Sequence, residues 1–282
     1  KYFYGGDPQT LFSSNSMGKS FVSALMGIAV AEGAVESIED PIGMYVPEFA
    51  GTDLESIPIR ACLQMASGID FNEVTDMSRF SMRTLMGTPS MKVIADHGVQ
   101  EAPYTHRRYQ SINTEILGQI IKNATGHSLA EYMEEKLWKR IGAEQDAYWT
   151  LSNGTELAMG GLSVSLRDYA RFARLYLNGG SFHGEQILTK EWVRDSMDVS
   201  AAYSRPGANQ DVYNAIGYGY QWWVPEGDRG EFMAIGVYGQ WMYVDPSRQI
   251  IIVKTSADPD FMSQDYELKH VEFFRAIAGG LL

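Results

Sequence analysis

Between Met17 and Glu32 the apolar positions fall at 21, 22, 24, 25, 28 and 29, the spacing of one helix face, and Gly33 suits the turn that ends such a helix. A polar stretch, Ser13-Ser14-Asn15-Ser16, runs straight into it, after a short strand-like piece near the N-terminus. Pro41 and Pro47 make 37–49 a loop with short turns, and Pro58 opens a short helix over 59–66 that Gly68 ends. Residues 70–108 have weak periodicity. They predict a long, irregular covering loop with one short helix near 91–97. Helical spacing returns over 113–123, closed by Gly126. A capping box, Ser128 with Glu131, opens the next helix, which turns Leu129, Tyr132, Met133, Leu137 and Trp138 inward and stops at Gly142. Gly160-Gly161 is a turn. Ser165 and Asp168 then cap a helix carrying Tyr169, Phe172, Ala173, Leu175 and Tyr176 to Gly179-Gly180, and Thr189 starts a short one through Met197. From about 215 the pattern becomes strand-like: an aromatic run over 218–224, then 232–244 and 249–255 joined by the turn Asp245-Pro246-Ser247-Arg248, with a last helix over 267–277. A helical middle and a C-terminal sheet covered by helix make an α+β chain. It has no repeats and no low-complexity segments.

At 282 residues, 45% hydrophobic and 21% charged, the chain fits one large domain or two intimate subdomains. The net charge of −12 is spread along the chain and repels nucleic acid and anionic membrane surfaces, which points to a small-molecule or peptide-sized substrate. Cys62 is the single cysteine, so no internal disulfide forms; this fits the cytosol, and equally a bridge-free periplasmic protein. No apolar run reaches the length of a membrane span, and the start, Lys1 to Gly6, lacks the features of a signal peptide. The fourteen methionines are expected as core filler. Nothing here fixes an oligomeric state.

The chemistry concentrates at Ser16 and Lys19, the one Ser-x-x-Lys spacing in the chain. If the helix starts near Ser16, hydroxyl and amine share a face one turn apart, at a helix N-terminus that favours negative charge. Gly18-Lys19-Ser20 also resembles the end of a phosphate-binding loop, but Ser13 stands where that motif needs glycine, and no acidic strand end follows to hold magnesium. There is no Gly-x-Ser-x-Gly elbow and no His-Glu-x-x-His. The five histidines (97, 106, 127, 183, 270) are isolated from one another, so no metal site is expected; only His106 is near another candidate, Tyr109. A histidine-based triad stays open, since its members come from distant loops.

Ser16-Met17-Gly18-Lys19, taken with Tyr109-Gln110-Ser111, resembles the paired motifs of the serine β-lactamase-like hydrolases: class C β-lactamases, carboxylesterases of that fold and 6-aminohexanoate-dimer hydrolases. The likeness runs on through 129–142, 160–180 and Gly236-Val237-Tyr238-Gly239-Gln240. It implies a β-lactamase/transpeptidase-like fold, with an antiparallel sheet flanked by helices plus a helical subdomain. Residues 13–160 would form the helical part, with 1–12 and 161–282 forming the α/β part, and the site would lie between them. Ser16 would be the acyl-accepting nucleophile, with Lys19 and Tyr109 as its base system and no cofactor. Free lysine titrates near ~10.4, so acting as a base at neutral pH means a fall of about three pH units, roughly 4 kcal/mol. Burial and the helix N-terminus push that way. Alternatively Lys19 stays charged and stabilises a Tyr109 phenolate that takes the proton. The oxyanion would sit between Ser16 N–H and Val237 N–H, Gly236 letting the strand approach. Ser111, Tyr238 and Trp241 are expected substrate contacts, and one or two rings of 218–223 are expected in the cleft.

The family pattern is broken in three places. Ser111 replaces the usual asparagine and donates one hydrogen bond rather than two. Ala234-Ile235-Gly236 lacks the cation that grips a β-lactam carboxylate, which favours small esters or linear amides of the 6-aminohexanoate-oligomer kind. Fifteen residues precede the nucleophile where family members carry several tens, so either the fold is trimmed or the chain begins late. A second reading is a β-lactamase or penicillin sensor with slow deacylation, because no deacylating carboxylate stands out.

Overall fold

The computed structural model describes residues 1–208, 215–263 and 265–280. Its centre is helix α1 (Lys19–Ala31), buried from Lys19 to Ala29. A helix apolar all round belongs inside a protein. Phe21 stacks on Phe172 at 3.6 Å, and Gly27 lies so close to the Trp192 ring that an added Cβ would meet it at 2.5 Å. The segment does not begin as α-helix. Asn15–Gly18 is a 3-10 turn, and Lys19 N–H bonds back to Ser16 C=O.

One side of α1 is helical. It comprises α2 (Ile59–Leu63), α3 (Met77–Leu85), α4 (Ser90–Ala95), α5 (Ile112–Thr125) and α6 (Leu129–Met133), which runs on as a π-helical turn over Glu134–Trp138. The Ser128–Glu131 capping box forms as expected, and Gly126 closes α5 at φ 73°. The region expected as loop with one helix holds two, since α3 precedes α4. Only Phe80 and Thr84 of α3 are buried, while Met82 and Leu85 face out, so its apolar residues do not draw one face. Pro58 does open α2, which stops at Leu63.

The other side is sheet. β8 (Gly217–Tyr218), β9 (Trp223–Val224), β10 (Phe232–Gly236), β11 (Gln240–Asp245) and β12 (Ile250–Lys254) form a five-stranded antiparallel sheet ordered β12-β11-β10-β9-β8. The β-rich run 232–244 is therefore a hairpin, paired Gly236↔Gln240, with a left-handed Tyr238 (φ 64°) in its turn. β11 is buried on both faces. Met242 and Val244 join the main core with Phe172 and Tyr176 of α7 (Leu166–Leu177), whereas Trp241 and Tyr243 pack on Phe274 of α9 (Tyr266–Gly280). α8 (Lys190–Ser196), N-capped by Thr189, supplies Trp192.

A second sheet, not expected, is ordered β1-β5-β2 from Leu11–Ser13, Leu162–Ser165 and Tyr148–Trp149. It positions the turn that carries Ser16. Ser14 N–H continues the ladder to Leu162 C=O at 2.8 Å, and Tyr169 Oη donates to Phe12 C=O at 2.8 Å. Short hairpins β3–β4 (Leu151–Ser152, Thr155–Glu156) and β6–β7 (Ser181–Phe182, Glu185–Gln186) complete the chain. Among the described residues no helix is long and apolar enough to cross a membrane.

Candidate active site

Ser16 lies in the 3-10 turn, where side chains three apart eclipse one another. Lys19 Nζ accordingly meets Ser16 Oγ at 3.0 Å. The amine also donates to Met159 C=O, from the turn before β5. Lys19 is 1% exposed, and burial lowers it to about 8, against the opposing pull of Glu73 and Glu115.

Tyr109 comes from the loop before α5. Its ring lies 5.5 Å, centroid to nitrogen, from the Lys19 amine. It stacks on Trp223 at 5.4 Å and meets Tyr218 edge-on at 6.0 Å. The aromatic run at β8–β9 is thus a platform for the tyrosine. Trp223 itself lines the cleft, together with Ser16, Tyr109 and Val237.

β10 closes the far wall. A Cβ on Gly236 would stand 2.4 Å from Ser14 C=O and 3.1 Å from Met17 N, so only glycine lets the strand lie this close to the Ser16 turn. Asn15 Nδ2 and Gln240 Nε2 both donate to Val237 C=O, at 3.1 and 3.2 Å, which fixes the backbone beside Ser16. The cleft encloses about 260 Å³.

Three expected substrate contacts lie elsewhere. Ser111 is 5% exposed, and its hydroxyl donates to Glu73 Oε1 at 2.5 Å while its N–H donates to Glu73 Oε2 at 2.7 Å. It therefore holds a carboxylate and does not face the cleft. Tyr238 packs on Phe261 at 4.7 Å and borders an outer groove beside residues 1–6. Trp241 is 0% exposed, stacked on His270 at 4.9 Å beneath α9, and serves the core. His106 bonds Glu101 on the surface, and no histidine lines the cleft among the described residues. Nor do those residues include a group of three or more metal-ligating side chains. Cys62 is buried and unpaired.

Two carboxylates were missed. Glu73 lines the cleft and receives both donors of Ser111, at the N-terminus of α5, where an anion is favoured. It sits in the weakly periodic region, which gave no signal. Glu115, in the first turn of α5, is buried and accepts Met159 N–H at 2.9 Å. Burial raises it to about 7.

Residues 4–272 match the model of the Beta-lactamase family. The chain is 30% identical over 266 residues to the 6-aminohexanoate-dimer hydrolase of Paenarthrobacter ureafaciens, covering 87% of this chain and 66%, just under two thirds, of that protein. A Bacillus anthracis structure provisionally named 6-aminohexanoate-dimer hydrolase superposes with a TM-score of 0.85 at 26% identity, over 100% of this chain and 76% of that one. A D-stereospecific amidohydrolase from Streptomyces shares the fold, with a TM-score of 0.64 at 18% identity over 85% of this chain and 79% of its own. The chain belongs to the beta-lactamase family, whose fold is that of serine hydrolases.

Proposed function

We propose that the protein hydrolyses small esters or linear amides, of the 6-aminohexanoate-oligomer kind, through an acyl-enzyme on Ser16. The observation that carries this is the 3.0 Å contact between Lys19 Nζ and Ser16 Oγ, made by an amine that burial brings to about 8. Serine is a poor nucleophile until a base takes its proton. Here Lys19 and Tyr109 act as one titrating unit. Ser16 Oγ attacks the substrate carbonyl as its proton passes to that unit. The oxyanion forms between Ser16 N–H and Val237 N–H. The tetrahedral species then expels the alcohol or amine, which takes the proton back, and a water repeats the sequence to release the acid and free Ser16.

The cleft favours such substrates over β-lactams. Its described lining holds two carboxylates, Glu73 and Glu267, and no cation; Ala234 is buried in the sheet. A carboxylate placed against this lining would meet like charge, while a neutral chain, or the ammonium end of a 6-aminohexanoate oligomer whose carboxylate end points out of the cleft, would not. Val74 and Met262, 75% and 64% exposed, add apolar surface at the mouth for an aliphatic chain. The relative named for 6-aminohexanoate-dimer hydrolysis supports the same class.

The test is intact mass after a fluorophosphonate, with turnover of a p-nitrophenyl ester. Wild type gains one adduct and turns the ester over, and Ser16→Ala does neither. An unlabelled wild type overturns the proposal. A burst of one equivalent without steady turnover favours the penicillin-sensor reading.

A further inference from the structure

We propose that Glu115 is a positioning residue for Lys19: it clamps the turn whose carbonyl holds the amine, and it adds a buried negative charge to that of Glu73 in offsetting the amine's burial. The inference rests on the role given to Lys19 above. In the first turn of a helix a glutamate ordinarily faces solvent and the helix dipole. Glu115 is instead 4% exposed. Its Oε1 accepts Met159 N–H at 2.9 Å, and the carbonyl of that same residue accepts from Lys19 Nζ. One residue of the turn thus links carboxylate and amine. Lys19 makes no direct ion pair among the described residues, so Glu73 and, after it, Glu115 are the charges that offset its burial.

The groups around Glu115 are few. Lys19 faces it from α1, and Lys122 lies further along α5, 3.8 Å from Glu156 of β4. α2 brings Cys62, which burial keeps a thiol. α6 brings Glu131, bonded to Ser128, and Tyr132, bonded to Glu32. α4 brings only Lys92, which is exposed. Beyond Lys19 stand Ser16, Tyr109 and Glu73. Burial pushes each member of the pair toward its neutral form, and each charge opposes that push on the other. The carboxylate thereby holds the lysine proton more tightly than burial alone would, and shares with Glu73 in setting the pH at which the amine becomes a base.

Three variants separate clamp from charge. Glu115→Gln keeps an acceptor for Met159 N–H and removes the charge; Glu115→Ala removes both; Glu115→Asp keeps the charge and shortens the reach. The readout is kcat/KM for a p-nitrophenyl ester across pH 5–10. Glu115→Gln should move the acid limb to lower pH by roughly one unit, the size expected on losing a nearby opposite charge. Glu115→Ala should lose about 100-fold in kcat at little change in KM, since the amine is no longer held in place. Glu115→Gln should recover most of that loss. Superimposable acid limbs in wild type and Glu115→Gln overturn the electrostatic role, and full activity in Glu115→Ala overturns the clamp. A second measurement needs no variant to fold and no turnover. In wild type with 15N-labelled lysine and 13C-labelled glutamate, the Lys19 Nζ and Glu115 carboxyl resonances should share an inflection near neutrality. Independent titrations overturn the proposal even if Ser16 is labelled, and a shared inflection sustains it even if Ser16 is not.

Discussion

Gly236→Ala tests whether the approach of β10 to the nucleophile turn is what makes the site work. The new methyl would stand 2.4 Å from Ser14 C=O and 3.1 Å from both Met17 N and Gln240 Cβ. Two of these neighbours are backbone of the turn that carries Ser16, so no flexible side chain can swing aside. Restoring ordinary contact near ~3.4 Å requires strand and turn to separate by about 1 Å, and a displacement of that size can cost about 100-fold in rate. The Val237 donor would move with the strand, and losing one oxyanion donor costs about 100- to 1,000-fold, or ~2.7–4 kcal/mol. The two estimates bracket the same loss. Overpacking should lower stability by only ~1–3 kcal/mol, so the protein stays folded. The assay is kcat/KM for a p-nitrophenyl ester, the second-order rate of fluorophosphonate labelling and a thermal melt. Gly279→Ala is the control, because a Cβ there meets nothing within 4 Å. Gly236→Ala should lose about 100-fold or more in both rates, and the control nothing. A Gly236→Ala enzyme within about threefold of wild type, with an unchanged melt, would refute the argument, because the strand would then be free to yield without moving the donor.

Trp241→Phe should lower stability by about 0.5–3 kcal/mol in urea unfolding and leave KM unchanged, since the indole packs under α9 and not in the cleft. Ser111→Ala removes one of the two donors on Glu73, a charge-assisted bond worth about 1.5–3 kcal/mol, and should reduce kcat/KM for an amine-bearing amide more than for a neutral ester. Stability should fall as pH rises from 4.5 to about 7, because over that window the unfolded chain has already released the Glu115 proton and the folded chain has not. Urea unfolding at several pH values should show this slope in wild type and a flatter one in Glu115→Gln.

The elements legible in the sequence are those whose cause is local. The Ser128 box, the Thr189 cap and the glycine after α5 each act within a few residues and form as expected. Helix α3 was hidden because its exposed Met82 and Leu85 blur the one buried stripe. The small β1-β5-β2 sheet was hidden because strands of two to four residues are too short to show alternation. Trp241 was misplaced for a related reason. Both faces of β11 are covered, so its central residues, Trp241 to Val244, are all apolar or aromatic, and nothing in the letters says which face looks toward the cleft.

The site divides along the same line. Ser16 and Lys19 are three residues apart, so backbone geometry alone brings them together, and the spacing announces the pair. The carboxylates that govern the pair reach it from far along the chain. Glu73 is held by Ser111 from 38 residues away, and Glu115 meets Met159 across 44. A glutamate in the first turn of a helix has the same local sequence whether water or a protein turn lies over it, and only the covering segment decides which. That cover changes the chemistry. In water Glu115 would be one more charge among the 35 acidic residues; beneath the 158–159 turn, burial raises it to about 7. Sequence can therefore pair the hydroxyl with the amine, but the charges that surround them are set by contacts that only folding creates.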